Sequence, residues 1–151
     1  MIIHETNDAN IIKSVLCHPE IYGCISCDES MPADEFEPPI SSKIQYVAGF
    51  VDGAIIGLMI YHDVDDKVKC HIQVLPEYRK ECAKKFARMA LNFGKAKNAI
   101  VYAEIPVCYP NVLRFSKAVG FFETGRIIDG YAKNGENHNV IIVRLKNGVY
   151  Y

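Results

Sequence analysis

The segment Ile72-Gln73-Val74-Leu75-Pro76-Glu77-Tyr78-Arg79 is where the chain changes period. Before it, Val68, Cys70, Ile72 and Val74 alternate with Lys69, His71 and Gln73. That two-residue repeat is a strand with one apolar face. Pro76 stops the strand, because proline has no N–H to give to a ladder. Beyond it, Cys82, Phe86, Met89, Ala90 and Phe93 recur at helical spacing, and Arg79, Lys80, Lys84, Lys85 and Arg88 fall mostly outside that stripe. Gly94 or Asn98 ends the helix, and residues 99–105 read as an apolar strand of the buried kind. Two strands joined through a helix of this length form a parallel crossover, so residues 68–75 and 99–105 are expected to run parallel.

The rest of the chain extends this unit on both sides. Upstream, residues 44–51 and 54–62 are β-like and flank Asp52-Gly53, a strong two-residue hairpin turn. Asp63-Val64-Asp65-Asp66 makes a second turn, so three antiparallel strands form a meander. Residues 1–6 are apolar enough for a short first strand, and Asn7 or Asp8 can cap a helix by accepting a backbone N–H. Ile11, Ile12, Val15 and Leu16 continue that helix, and Pro19 and Gly23 divide it from a second short piece. Residues 28–42 carry three prolines and several acids and read as a long loop, a class usually functional or mobile. Downstream, Pro110 starts a short helix over residues 111–119, and Gly120 stops it. Residues 121–131 and 140–145 are two further strands around the polar turn Lys133-Asn134-Gly135-Glu136-Asn137. The order is β-α-α-β-β-β-α-β-α-β-β: an α/β domain with a mixed sheet, covering residues 1–151.

Composition narrows the function. The chain has 151 residues, half of them hydrophobic and 23% charged, within the range of one globular domain. The net charge of −1 lacks the basic excess of a nucleic-acid-binding protein. No apolar run is long enough to span a bilayer, and Met1-Ile2-Ile3-His4-Glu5 lacks the basic start of a signal peptide. We expect a cytoplasmic protein, or one assembled from cytoplasmic material. The six cysteines, at 17, 24, 27, 70, 82 and 108, are then expected to be reduced, with Cys70 and Cys82 as small buried hydrophobes. Cys24-Ile25-Ser26-Cys27 is a lone C-x-x-C. It reads as half a zinc site with Cys17 or His18, or as a redox pair, but no second C-x-x-C accompanies it and no βαβ unit precedes it. We expect no metal there.

The element order and two segments resemble the GNAT superfamily of acyl-CoA-dependent N-acyltransferases. Residues 72–79 resemble the family's fourth strand and following turn, V-x-P-x-x-R-x-x-G-x-G/A. The segment Asn111-Val112-Leu113-Arg114-Phe115-Ser116-Lys117-Ala118-Val119-Gly120-Phe121 is similar to its late N-x(n)-Y-x-K-x-G-F segment. The resemblance implies acetyl-CoA as co-substrate and a fourth and fifth strand that diverge toward their C-terminal ends. Val74 and Leu75 would pair with pantetheine. Arg79, Lys80, Cys82, Ala83 and Lys84 would form the loop over the pyrophosphate, where backbone N–H groups attract anions. Asn111 would begin the helix flanking the thiol. Two departures stand out: Cys82 and Lys84 replace the loop glycines, and Ser116 replaces the tyrosine that protonates the departing thiolate in the family. A serine hydroxyl is far less acidic than a phenol.

A proton must also leave the attacking amine. His71 on the polar strand face and Glu104 on the next strand are the candidate bases, and each reads equally as a packed or surface residue. Tyr102, Tyr109, Tyr150 and Tyr151 read as packing or edge residues, with Tyr109 placed just before the second helix. The acids Asp28, Glu29, Asp34, Glu35 and Glu37 could draw a cationic amine toward the site. One expectation is therefore transfer of an acetyl group to a primary amine of a small molecule or protein, slow because Ser116 stands where the leaving-group acid should be. The other is a non-catalytic protein on the same fold. His18-Pro19-Glu20-Ile21-Tyr22, Cys27-Asp28 and the glycine-poor Pro76-Glu77-Tyr78-Arg79-Lys80 resemble the GNAT-like branch among tailed-phage head-assembly and internal virion proteins. That resemblance implies a viral assembly partner and a place in the virion.

Overall fold

Alternating apolar residues build seven strands into one sheet, in the order β1-β2-β3-β4-β5-β7-β6. A computed structural model describes residues 1–146. The strands are β1 (Ile2–Glu5), β2 (Ile44–Val51), β3 (Ala54–Val64), β4 (Lys67–Val74), β5 (Val101–Pro106), β6 (Phe121–Lys133) and β7 (Glu136–Leu145). The helices are α1 (Ala9–Leu16), α2 (Pro19–Ile25), α3 (Arg79–Leu91) and α4 (Pro110–Ala118). β1 to β4 form the antiparallel meander. β4 and β5 are parallel, and β7 inserts antiparallel between β5 and β6. This is the GNAT-like architecture, as expected. Tyr150 and Tyr151 lie outside the described residues.

The period of two divides the core between the two sheet faces. Val47, Met59, Tyr61, Val68, Cys70 and Val101 pack under α3 and its neighbours. Tyr46, Ala48, Leu58 and Ile60 meet Ile12, Val15, Leu16 and Ile21 of α1 and α2 on the other face. Asp8 caps α1, its side chain accepting from the N–H groups of Asn10 and Ile11. Pro19 opens α2.

The α3 stripe differs from the one expected. Ala83, Phe86, Ala87, Ala90 and Leu91 are buried, Cys82 and Met89 are half-buried, and Phe93 lies beyond the helix. Phe86 fits against the sheet at Gly49, where no side chain intervenes, and alanines fill the positions around it. The buried stripe is thus set by what the facing strand offers rather than by hydrophobicity alone.

The segment over residues 28–42 is tied down at several points. The Tyr46 hydroxyl donates to the Pro39 carbonyl at 2.8 Å, and the Tyr22 hydroxyl donates to the Met31 carbonyl. The Asp28 carboxylate accepts from the N–H groups of Asn134 and Gly135 at 2.8 and 2.9 Å. It thereby clamps the β6–β7 turn.

Candidate active site

Each of β4 and β5 is paired along its outer edge, β4 to β3 over residues 67–74 and β5 to β7 over residues 102–106. Toward each other they pair only at Val68–Val101 and Lys69–Tyr102. Beyond that point they splay, as expected, and open a cleft of about 340 Å³ walled by both strands, α2, α4, β6 and β7. The Leu75 N–H donates to the Ile56 carbonyl of β3 at 2.9 Å. Alternation along the strand then turns the backbone of Val74 and Ile72 toward the gap. Leu75 thus spends its N–H on β3, and Val74 faces the opening. The Val74 carbonyl itself accepts from Arg79 Nε at 3.0 Å.

The expected pyrophosphate loop is not a loop. After a tight turn at Pro76–Tyr78, Arg79 begins α3, and Lys80, Cys82, Ala83 and Lys84 lie in its first two turns. Without glycine, nothing favours an open, positive-φ path here, and the segment winds into helix. Ala83 is buried in the core, so its side chain is not presented to a ligand. Lys80 and Lys84 are exposed. No side chain caps the start of α3, and its first N–H, that of Arg79, donates to the Pro76 carbonyl of the preceding turn. Asn111, at the start of α4, is exposed and accepts from Arg114 at 3.1 Å.

His71 and Glu104 both line the cleft, together with Lys69 and Gln73. His71 lies edge-on to His62, with ring centroids 5.2 Å apart. Burial pushes the His71 imidazole down to about 4, and the charges of Lys69 and His62 add to this. His71 is therefore neutral near pH 7, with a lone pair to offer but weak basicity. Glu104 is already engaged: its carboxylate meets Lys69 Nζ at 2.8 Å, bridging β4 and β5 across the mouth of the splay.

Ser116 also lines the cleft, but its hydroxyl donates to the Leu113 carbonyl one turn back at 2.7 Å. A proton held by the helix backbone is a poor one for a leaving thiolate.

The phenols at the cleft wall are Tyr109 and Tyr131, whose oxygens stand 3.0 Å apart. Tyr131 donates to the Ser26 carbonyl at 2.6 Å, so the shared proton between the two phenols comes from Tyr109. Lys133 Nζ donates to the same Ser26 carbonyl at 2.8 Å. Burial raises both phenols, which keeps them protonated. Sequence reasoning noticed Tyr109 only for its place before α4 and passed over Tyr131. Tyr131 comes into the site through a contact 105 residues away along the chain.

The loop acids do not enter the cleft. Asp28 is held by the β6–β7 turn, and Glu37 pairs with Lys13 on α1. All six cysteines are free thiols. Cys70 is buried, and burial pushes its thiol up to about 12. Cys24 lines the cleft, and Cys82 is half-buried rather than core. Among the described residues, no three His, Cys, Asp or Glu side chains come together as a metal site.

No protein-family model matches the sequence, and no curated protein matches it. Solved structures do. Spermidine N-acetyltransferase from Vibrio cholerae, in complex with CoA and spermine, superposes with a TM-score of 0.76 at 15% identity, over 95% of this chain and 94% of that one. A point variant of the same enzyme gives 0.75 at 14% identity, over 96% and 94%. At such identity the likeness speaks for the fold, and it spans both chains almost end to end: the protein has the GNAT-like fold of the acyl-CoA-dependent N-acetyltransferases.

Proposed function

We propose that this chain is an acetyl-CoA-dependent N-acetyltransferase acting on a small-molecule amine in the cleft between β4 and β5. The observation that carries the reading is that this splay exposes the inner edge of β4 while two protonated phenols stand in its wall. The outward backbone of Val74 and Ile72 offers hydrogen bonds to a pantetheine amide. Binding there requires Arg79 to release the Val74 carbonyl, which frees its guanidinium for a phosphate. The start of α3 turns its dipole toward this end, and the exposed Lys80 and Lys84 on its first two turns suit the pyrophosphate. The CoA and spermine held by the structural neighbour support both ligand classes.

In the reaction the amine nitrogen attacks the thioester carbon, and the C–S bond breaks. Tyr109 turns its O–H from the Tyr131 oxygen to the departing thiolate and gives it the proton, a move open to a side-chain partner but not to Ser116, which is held by its own helix backbone. His71, neutral at pH 7 and only weakly basic, accepts the proton lost by the amine, directly or through a water, and passes it on to solvent. Tyr131 and Ser26 hold Tyr109 in place, so a phenol from outside the expected motif does the work that Ser116 cannot. The test is thiol release from acetyl-CoA across a panel of amines. Positioned acid–base groups contribute about 10²–10⁴-fold, so Tyr109→Phe should lower kcat at least about 100-fold, whereas Ser116→Ala should leave it within about twofold. Loss of activity in Ser116→Ala with Tyr109→Phe unaffected would reverse the assignment.

The second reading is a non-catalytic protein on the same fold, with a viral assembly partner and a place in the virion. It is favoured by the helical wind of residues 79–84 and by the Arg79 bond that fills the Val74 carbonyl. Absence of both CoA binding and turnover would select it.

A further inference from the structure

The charged groups of the cleft narrow the acceptor. Among the described residues lining it, the formal charges near pH 7 are those of Lys69 and Glu104, and they neutralise each other at 2.8 Å. His71 is neutral there, because burial pushes it down to about 4. The five loop acids that could have supplied negative charge lie outside the cleft. What remains is uncharged and mostly apolar or aromatic, including Ile25, Pro106, Tyr109 and Tyr131, with Gln73 and Ser116 as neutral polar groups.

We infer that the acceptor is a monoamine carrying an apolar or aromatic group, and that polyamines are excluded. This rests on the acetyl-transfer reading above and specifies the substrate of that same site. The physical reason lies in where the charge goes. A primary amine enters as an ammonium and must lose its proton before it attacks. A monoamine thereby loses its only charge at the nitrogen that reacts, and its apolar remainder replaces water along the wall. A polyamine keeps at least one distal ammonium, which needs an unpaired carboxylate once it leaves water. Among the described residues, the one carboxylate in the cleft wall is already held by Lys69. Lys69 is thus a specificity-determining residue: it cancels the charge that would recognise a second ammonium.

The experiment compares 2-phenylethylamine with spermine at saturating acetyl-CoA. The expected kcat/KM ratio favours 2-phenylethylamine by at least about tenfold. In Lys69→Ala, which leaves Glu104 unpaired, the ratio should shift toward spermine by about tenfold. Calorimetric titration of both amines into the protein supplies a second measurement that needs no turnover, and 2-phenylethylamine should bind more tightly. Spermine preferred in turnover or in binding, a ratio unmoved by Lys69→Ala, or no binding of either amine would overturn the inference. Stabilisation of the protein by acetyl-CoA with the spermine-favouring result would sink this inference alone. No acetyl-CoA binding would sink the transfer reading itself.

Discussion

His71 shows how one side chain links packing to pH. Its pKa is about 4 in the folded protein and near 6.5 in an unfolded chain. Between these values the unfolded state binds a proton that the native state refuses. Stability is therefore fully present above about pH 6.5 and falls as pH drops toward 4. The difference in pKa corresponds to about 3 kcal/mol at most. Urea melts at pH 7 and pH 4.5 should show this loss in the wild type and a shallower loss in His71→Gln. Proton NMR should place the His71 midpoint near 4, and a midpoint near 6.5 would refute the burial account. The same residue could be picked from the sequence as a strand-face candidate. Its low basicity could not, because that depends first on burial of the ring in the packed cleft and then on His62 arriving beside it from β3. Glu104 was equally legible as an acid on the fifth strand, and its pairing with Lys69 was equally invisible.

At the scale of elements, the stretch after Pro76 is the instructive case. The sequence locates the strand, its proline stop and the helix that follows, and the missing glycines are plain to read. What they leave behind is a matter of local energetics: with ordinary residues at 82 and 84, α3 extends back to Arg79. Replacing two interior helix residues by glycine costs roughly 1 kcal/mol each. Cys82→Gly combined with Lys84→Gly should therefore lower unfolding stability by about 2 kcal/mol in denaturant melts. An unchanged midpoint would mean that this turn does not contribute helix stability. The packed stripe of α3 was misplaced by one position along the helix. Phe86 and the alanines beside it pack where β2 presents Gly49, and which strand residue faces a helix leaves no trace in the helix's own hydrophobicity.

At the scale of the molecule, the β4–β5 splay is the feature that a ligand must use. Both strands are already paired along their far edges, so a ligand can pair with the gap without displacing a strand, once Arg79 releases the Val74 carbonyl. A ligand that binds only the folded state stabilises it by about 2.7 kcal/mol at 100 times its Kd. Acetyl-CoA should accordingly raise Tm by several degrees in a thermal melt, and an unmoved Tm at millimolar acetyl-CoA would refute the cleft as its site.

What the sequence by itself determined is whatever depends on neighbours a few residues apart. The period of two in β4, the Asp52-Gly53 turn, a helix cap at Asn7 or Asp8, the proline stops and the order of elements all act locally, and together they specify the fold class. Tertiary structure alone decided which groups meet. It placed β7 between β5 and β6, joined Lys69 to Glu104, turned the Ser116 hydroxyl onto its own helix, and set Tyr131 between Tyr109 and the Ser26 carbonyl. These are contacts between distant parts of the chain or choices of side-chain rotamer. Their energies are comparable to those of the alternatives, so only the packed geometry selects among them.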